Sequence, residues 1–566
     1  MGNSSKTEAK TDNFIDLKSP KVVFIPKIDE GTIVSKIEKK DDKYKIPGTD
    51  IVFTEKDLGT LRSSNKVLAI YNQQDDVFTF RVITDRNIEE EEKIKYEPSF
   101  LLGQGTYGSV MGNRATMIAT KTSLQKEEEG VPSDMIKEIA IYRLFSELSC
   151  LPKMYNFNIS DKVELNFELG NGTLYDYIEK SDFGENQEKK SIMLRLASCL
   201  ASISSQGIIN CDLKPKNMII SQSGKVQIID WGIAEVDYGL NQGRKKNKNI
   251  QTIKYRSPEI LSEHKSTYSH KVDVFSLGII FLEIVMGNTF SSTNDNQEQA
   301  MLYLRKLYNA NRNEIRATGP INFLKKLVSE DSIYNIIKRR LMFNYDSEKE
   351  GEYVTFIKDE NLLDLASKML EPNPKHRIDY DEILAHPFFS EDRSSIEVKN
   401  TLINGMPKIE NISNVFGKLS NTRKPLNEWM FQICTKFKFC PDTAFLAWQL
   451  VDLFIFKKGK YKKTKLQQLS CVCMMIASKI FEIHTIDYST YKEYSDENSN
   501  RDYVEECLKI ENDVIETLDG NILIPTIYSY WSRKNGNIPI ESTERLFNVY
   551  ITRDNVYDNS LEIIIQ

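Results

Sequence analysis

The most constraining feature of the chain is a pair of short polar segments separated by a strand-like stretch. The first reads Asp212-Leu-Lys-Pro-Lys-Asn217, and the second, Asp230-Trp231-Gly232, follows the apolar residues VQII. A carboxylate can accept a hydroxyl proton, and carboxylate and amide oxygens can hold Mg²⁺ against a triphosphate. The pattern therefore predicts phosphoryl transfer. Asp212 would be the base, Lys214 would neutralise charge, and Asn217 and Asp230 would hold the metal.

A second pattern, nearer the N-terminus, fits the same chemistry. Residues 103–110 read GQGTYGSV and include three glycines, so a strand–turn–strand could bring bare backbone against phosphates. Lys121 follows in the apolar stretch IATKT and supplies a point charge for the α- and β-phosphates. Glu138, on a predicted helix, could orient Lys121 through an ion pair. Together these residues predict a nucleotide site.

These residues resemble the protein kinase family over residues 96–390. The resemblance implies a bilobal fold that uses ATP and Mg²⁺. It also implies structural roles for Glu259 at the end of the activation segment, for its partner Arg377, and for Asp273 beneath the catalytic loop. Phe167 would be the gatekeeper. The residues around the nucleotide would be Leu102, Gly103, Gly105, Gly108, Val110, Ala119, Lys121, Glu168, Leu169 and Ile219.

Within the kinases, two stretches resemble the cyclin-dependent group. The glycine-rich loop contains that group's Thr-Tyr pair as Thr106 and Tyr107, and GVPSDMIKEIAIY follows the PSTAIRE helix that carries Glu138. By position, Thr106 and Tyr107 could carry inhibitory phosphates. Lys214 implies Ser/Thr acceptors. Arg256 matches an arginine that shapes a proline-accepting pocket, so proline-directed substrates are expected.

Several departures from the family pattern concern the activation loop. The three arginines that normally bind its phosphate are replaced by Cys211, Lys137 and Glu235. Asn247, in a basic GRKKNKN run, stands where the phosphorylated threonine belongs. The chain therefore lacks both the phosphorylated threonine and the arginines that would bind its phosphate, so we predict activity without activation-loop phosphorylation. Trp231 in place of the usual Phe also resembles the DWG of casein-kinase-two-like enzymes, which are constitutively active.

The C-terminal part of the chain has helical periodicity throughout, with apolar residues at three- and four-residue spacing. Residues 412–531 resemble a cyclin box. The resemblance implies an internal ion pair between Arg423 and Asp452. It also implies that Lys479 and Glu511 bond the backbone beside the PSTAIRE-like helix, in an intramolecular kinase–cyclin contact. The residues that carry the resemblance are Arg423, Trp429, Asp452, Lys479, Glu511 and the stretch IPTIYSYW.

The predicted organisation is a multidomain α+β protein. Runs such as KVVFIPKI, KVLAIYNQ and VFTFRVIT predict a small β-rich extension over residues 1–95. A kinase domain over 96–390, a linker over 391–411 and an all-α cyclin-like domain over 412–566 follow it. Similar fusions of a kinase and a cyclin are associated with large DNA viruses.

Composition argues against several classes of protein. The net charge of −6 offers no basic field for nucleic acid. The longest mostly apolar stretch, 274–287, is shorter than the roughly 18–20 residues of a membrane span, so no membrane contact is expected.

The cysteines show no C-x-x-C pair, and a large core needs no disulfides, which favours a reducing, intracellular site. That site would be the cytoplasm or nucleus of a host cell, or a virion. Cys471 and Cys473 are interpreted as core packing and not as zinc ligands.

Three functions remain open from the sequence. The leading interpretation is a Ser/Thr kinase that acts on protein substrates and is held active by its own cyclin-like domain. Asn210 and Cys211, where the family usually has His and Arg, support the alternative of a pseudokinase scaffold. In a third interpretation the cyclin-like domain recruits a separate kinase. Docking within one chain is expected, and the same linker length also allows exchange between two chains.

Overall fold

We analysed a computed structural model of the whole chain. It describes residues 99–390 apart from 106–107, 181–185, 237–249, 264–267, 288–292, 294, 346–352 and 356; residues 420–529 apart from 460, 497–499 and 527; residues 532 and 546; and, before residue 99, the backbone of strands. The linker 391–411, Thr106, Tyr107 and Asn247 therefore lie outside the described residues. The chain divides into two compact units, Met1–Thr122 with Asn166–Leu169, and Ser123–Leu165 with Gly170–Gln566. Among the helices that the structure describes, none has the length and apolar character to cross a membrane.

The described part of the N-terminal extension consists of strands, as its short apolar runs predict. One antiparallel sheet has the order β1-β5-β6, and a second has the order β2-β3-β4. The three predicted runs coincide with β1, β5 and β6. The six strands are β1 (Lys21–Pro26), β2 (Glu38–Lys40), β3 (Lys43–Lys45), β4 (Val52–Thr54), β5 (Lys66–Asn72) and β6 (Val77–Ile83).

A five-stranded sheet carries the glycine-rich segment. Its order is β10-β11-β9-β8-β7. The hairpin of β7 and β8 closes at Gly105, which lies opposite Gly108, and a register shift between Leu101 and Gly103 bends the first strand. The strands are β7 (Ser99–Gly105), β8 (Gly108–Asn113), β9 (Ile118–Leu124), β10 (Met154–Ile159) and β11 (Lys162–Glu168).

Helices form most of the kinase part of the second unit. The apolar stretch 274–287 falls largely within α5, which is buried along almost its whole length and so forms a core helix. The helices are α1 (Ser133–Leu144), α2 (Leu174–Glu179), α3 (Asn186–Ser205), α4 (Pro258–Leu261), α5 (Lys271–Met286), α6 (Asn296–Lys306), α7 (Arg312–Thr318), α8 (Pro320–Ser329), α9 (Tyr334–Met342), α10 (Glu360–Met369) and α11 (Tyr380–Ala385).

Short hairpins and single 3₁₀ turns connect these helices. The catalytic loop, residues 210–217, follows β12 (Ile208–Ile209), which pairs with β15 (Glu235–Val236), and precedes the hairpin of β13 (Met218–Ile220) and β14 (Val226–Ile228). The strands are β12 (Ile208–Ile209), β13 (Met218–Ile220), β14 (Val226–Ile228), β15 (Glu235–Val236), β16 (Phe343–Tyr345) and β17 (Tyr353–Thr355), and the 3₁₀ turns are Pro215–Asn217, Ile253–Tyr255 and Pro387–Phe389.

One cysteine pair corrects an expectation from the sequence. Cys150 and Cys199 form a disulfide across a Cα–Cα distance of 5.9 Å, so the expectation that a core of this size leaves its cysteines unpaired is wrong for these two. Cys199 lies on α3, and Cys150 lies in the turn before β10. The two are 49 residues apart, and the packing that brings them together leaves no mark in the local sequence. The expected compartment stays a prediction.

The described C-terminal helices pack around one buried helix, α14 (Leu466–Phe481). This helix contacts each of the other four and also α1 of the kinase part. Cys471 and Cys473 on α14 are completely buried, in agreement with the packing interpretation. The five helices are α12 (Ser420–Lys436), α13 (Pro441–Lys458), α14 (Leu466–Phe481), α15 (Tyr488–Glu493) and α16 (Tyr503–Thr517), with a 3₁₀ turn at Lys463–Lys465.

Candidate active site

The predicted base and its neighbours meet around one carboxylate. Lys214 Nζ lies 2.5 Å from Asp212 Oδ2. Asn217, at the end of the 3₁₀ turn that Pro215 begins, donates its amide to the main-chain oxygen and to Oδ2 of Asp212, each at 3.1 Å. The Asp212 side chain is 13% exposed, so a hydroxyl group could still reach it. The structure thus brings three of the predicted site residues together.

Asp230 reaches the same cluster through an uncommon backbone conformation. It follows the short hairpin of β13 and β14 and has a φ of 63°, in the left-handed region that non-glycine residues rarely adopt. Its Oδ2 lies 3.4 Å from the Asn217 amide nitrogen. The donor set, one carboxylate and one amide oxygen, suits a hard cation such as Mg²⁺. These residues therefore fit the predicted metal site.

Thr252 is a member of this cluster that the sequence did not reveal. Its main-chain N–H and its hydroxyl both donate to Asp212 Oδ1, at 3.0 and 2.8 Å. Lys214 Nζ also donates to Thr252 Oγ1, at 3.1 Å. Thr252 therefore fixes one oxygen of Asp212 while Lys214 and Asn217 hold the other. The sequence marks Thr252 only by its position, five residues before the Ser257-Pro258-Glu259 stretch at the end of the activation segment.

The catalytic loop is held from below by Asp273, in the first turn of α5. The main-chain N–H groups of Asn210 and Cys211 donate to its two carboxylate oxygens, at 2.6 and 3.0 Å. Complete burial raises the pKa of Asp273 to about 7, and these two hydrogen bonds act against the rise. Asn210 also accepts the Asp212 N–H on its own Oδ1 at 3.0 Å. A residue that departs from the family pattern thus supports Asp212.

The structure also contains the second predicted support. Arg377 donates from Nη1 and Nη2 to the two oxygens of Glu259, at 2.8 and 2.9 Å, in a bidentate pair. Both side chains are buried. Arg377 further donates to the main-chain oxygens of Glu371 and Pro372. This network fixes the end of the activation segment to the helices beneath it.

Most of the predicted nucleotide-side residues lie in the first unit. Gly103, Gly105 and Gly108 lie on the β7–β8 hairpin, and Val110 lies opposite Lys121 in the pairing of β8 with β9. The positions in this unit are Leu102, Gly103, Gly105, Gly108, Val110, Ala119, Lys121, Phe167, Glu168 and Leu169.

The remaining predicted residues lie in the second unit. Ile219 lies on β13 and packs against Gly170. A Cβ at position 170 would lie only 3.1 Å from the Ile219 side chain. Glu138 is buried on α1. Because Lys121 and Glu138 belong to different units, their ion pair stays a prediction.

Lys479 and Glu511 grip the backbone in front of α1. Glu511 Oε2 accepts the Val131 N–H at 3.1 Å, and the Lys479 ammonium donates to the Glu129 carbonyl oxygen. The two side chains also bond each other and are completely buried. Burial lowers the pKa of Lys479 and raises that of Glu511, and each charge opposes the shift of the other.

Gly130 makes this grip possible. Its φ is 73°, and a Cβ there would lie 1.8 Å from Glu511 Oε2. The Arg423–Asp452 pair implied by the resemblance is also present, with Nη2–Oδ2 at 2.9 Å in the interior.

Further contacts join the helical domain to α1, and the sequence did not reveal them. Arg143, in the last turn of α1, forms an ion pair with Asp519 at 2.9 Å. Gly520 packs so closely that a Cβ there would lie 2.5 Å from Ile139. The Gln125 amide donates to Asn512 at 3.1 Å. The interface therefore extends along α1 beyond the Lys479–Glu511 grip.

Comparison with known families is consistent with this geometry. The family model of the protein kinase domain matches residues 96–389, more than half of the chain. The family model of the cyclin N-terminal domain matches residues 399–523. The first match contains the Asp212 cluster and α1, and the second contains Lys479 and Glu511.

Proposed function

Because this chain belongs to the protein kinase family and carries a cyclin domain in the same polypeptide, we propose that it is a Ser/Thr kinase that its own cyclin domain holds active. ATP would supply the γ-phosphoryl group, and hydroxyl groups of protein substrates would accept it. The observation that carries the proposal is the meeting of Lys214, Asn217 and Thr252 around the two oxygens of Asp212.

The proposed chemistry follows from the partners of Asp212. Its carboxylate accepts the proton of the attacking hydroxyl, and Thr252 and Asn217 keep the carboxylate in one orientation. Lys214 offers a positive charge next to the reacting atoms, where charge develops on the transferred group. Catalysis of this kind depends mainly on positioning, and three neighbours supply it here.

Nucleotide binding would use the predicted residues on the glycine-rich hairpin and those near Asp212. Asn217 and Asp230 would hold Mg²⁺, which neutralises phosphate charge when bound. Lys121, oriented by Glu138, would contact the α- and β-phosphates, and the backbone of the glycine-rich hairpin would cover them. The backbone of Glu168 and Leu169 would receive the adenine.

The cyclin domain would act on α1. A partner that binds only one position of a helix shifts its equilibrium by the difference in affinity between the two positions. Lys479 and Glu511 bond the main chain immediately before α1, and α14 packs on α1 itself. We therefore expect the docked domain to favour the position of α1 in which Glu138 faces the nucleotide site, with no phosphate required.

A preference for proline after the acceptor residue is supported by Gln251. Its φ is 62°, and its carbonyl oxygen accepts hydrogen bonds from Nε and Nη2 of Arg256, at 3.1 and 2.7 Å. That oxygen is already engaged, so it offers little to a substrate N–H beside it. Proline has no N–H to satisfy and loses nothing there. Proline-directed substrates are therefore part of the proposal.

The scaffold alternative rests on Asn210 and Cys211. Asn210 nevertheless supports Asp212 through its side chain, and both residues bond Asp273 through their main chain. Neither substitution removes a group from the Asp212 cluster. This favours catalysis over a role limited to binding.

One assay tests the proposal. The purified full chain should transfer phosphate from Mg-ATP to a generic Ser/Thr substrate, and Asp212→Asn should lower the rate by roughly 10²–10⁴-fold because a general base is lost. Asp331→Asn, an exposed carboxylate between α8 and α9, serves as the matched control with unchanged rate. Lys479→Ala with Glu511→Ala should also lower the rate. Nucleotide binding without transfer by the wild-type chain would instead establish the scaffold.

A further inference from the structure

The segment that precedes Thr252 is anchored in an apolar cluster. Ile250 and Cys211 are buried together, with 1% and 0% of their surfaces exposed. Cys211 occupies the position where an arginine would bind an activation-loop phosphate. The cluster consists of uncharged side chains, namely Ile209, Cys211, Ile250, Ile260, Tyr268 and Val272, with Ile233 packed against them. Apolar contact therefore takes the place of a charged clamp at this point.

Gln251 extends this anchor through both ends of its side chain. Nε2 donates to the Val272 carbonyl at 2.9 Å and to Ser276 Oγ at 2.7 Å, both on α5. Oε1 accepts the Ser257 N–H at 3.0 Å. The Gln251 main-chain N–H donates to the Cys211 carbonyl at 2.8 Å. Gln251 thus joins α5 and the far end of the segment through its side chain, and the catalytic loop through its main chain.

The neighbours of Gln251 make this anchor relevant to catalysis. Thr252, the next residue, bonds Asp212 twice. Arg256 is bonded to the Gln251 carbonyl. Because the left-handed φ at Gln251 sets the direction of the chain on both sides, a displaced Gln251 would move Thr252 and Arg256 together.

We propose that Gln251, backed by the apolar cluster around Cys211, is the positioning residue that holds the substrate-binding segment 250–257 in its active form without phosphate. The inference rests on the proposed kinase function and adds the means of its regulation. Removing a phosphate would release a segment that is held by charged contacts to that phosphate. The hydrogen bonds of the buried Gln251 amide to α5 involve no phosphate, so they hold segment 250–257 whether or not the activation loop is phosphorylated.

The test compares two substitutions of equal chemistry in the full chain. Gln251→Glu replaces the donor facing the Val272 carbonyl by an acceptor. Gln227→Glu, the matched control, does the same to a buried glutamine on β14 that donates to the Leu151 carbonyl at 3.2 Å. We expect Gln251→Glu to raise KM for a Ser-Pro peptide about tenfold, with KM for ATP within about twofold of wild type. The control should lower Tm and leave KM for the peptide unchanged.

A third variant separates the side chain from the backbone. Gln251→Gly keeps the left-handed φ easily and removes only the side-chain bonds, so KM for the peptide should rise as in Gln251→Glu. If Gln251→Glu does not fold, Gln251→Gly alone provides the test of the side-chain bonds. A wild-type KM for the peptide in Gln251→Gly would overturn the inference, as would equal effects of Gln251→Glu and Gln227→Glu.

Hydrogen exchange gives a readout that needs no activity. Amides of residues 250–257 should lose protection in Gln251→Glu and Gln251→Gly and keep it in Gln227→Glu. Unchanged protection in both Gln251 variants would refute the anchor, whatever the kinetics. If the wild-type chain transfers no phosphate but the protection changes as expected, the proposed function fails while the anchoring of the segment stands.

Discussion

At the scale of single residues, the missing side chain of Gly130 allows Glu511 of the cyclin domain to contact the main chain of the kinase domain. The carboxylate of Glu511 occupies the space where any other residue would have its Cβ. The same residue has a φ of 73°, which glycine adopts at no steric cost. Position 130 therefore satisfies two requirements at once, one from its own backbone and one from the neighbouring domain.

We predict that Gly130→Ala disrupts docking and Gly224→Ala does not. Both glycines have a similar left-handed φ, but a Cβ on Gly224 would meet no atom within 4 Å. Each substitution costs about 1 kcal/mol of backbone strain, and only Gly130→Ala adds the clash with Glu511. Kinase activity of the purified variants is the measurement. We expect at least a tenfold loss for Gly130→Ala alone, and equal activities would refute the role of Gly130.

At the scale of elements, α5 supports both loops of the site. Asp273 in its first turn holds the catalytic loop, and Val272 and Ser276 hold Gln251. The helix is buried along almost its whole length, so it gives both loops a fixed reference. The two N–H groups favour the ionised carboxylate of Asp273, whereas burial in this interior opposes its ionisation.

The raised pKa of Asp273 leads to a prediction about pH. Its carboxyl has a pKa of about 7 in the folded protein and about 3.9 in the unfolded chain. The folded protein therefore holds this proton more tightly. The contribution of Asp273 to the free energy of unfolding is full below about pH 4 and declines by about 4 kcal/mol as the pH rises to about 7.

Asp273→Asn tests this, because asparagine has no proton to lose. The variant should lack the decline, so the excess of the wild-type Tm over the variant Tm should shrink as the pH rises from about 4 to about 7. Calorimetry of the full chain across this range is the measurement. Parallel Tm curves would contradict the raised pKa.

At the scale of the whole molecule, one polypeptide contains both a kinase and its docking partner. The predicted linker of about 20 residues would reach at most roughly 66–72 Å and would give an effective concentration on the order of millimolar. The Lys479–Glu511 grip would dominate the affinity, since each of its two hydrogen bonds to the main chain involves a charged group and contributes about 1.5–3 kcal/mol. The exposed Arg143–Asp519 pair contributes about 1 kcal/mol or less.

We predict that specific activity does not change on dilution. Docking within one chain is independent of protein concentration, so the rate per molecule should stay constant from about 1 µM down to about 1 nM. The measurement is the rate of phosphate transfer per molecule at each concentration of a dilution series, in a buffer without crowding agents. A rate that falls on dilution would show that the domains exchange between two chains. A control with Asp519→Asn, which weakens only the exposed pair, should behave like wild type.

Local spacing made much of the site predictable. Asp212, Lys214 and Asn217 lie within six residues of one another, and the structure joins them directly. Thr252 and Gln251 were missed because they act through backbone direction and buried bonds to distant segments, which leave no spacing pattern. The Cys150–Cys199 disulfide was missed for a similar reason, since it depends on how α3 packs.

The Lys479–Glu511 grip touches main-chain atoms, the Glu129 carbonyl and the Val131 N–H. Every polypeptide presents such atoms, so apart from its requirement for glycine at position 130 this contact does not distinguish one kinase from another. In separate proteins, selectivity would have to come from other surfaces. With docking within one chain, as we propose, the peptide connection supplies the partner, and the side chains of residues 126–129 need not encode which kinase is bound.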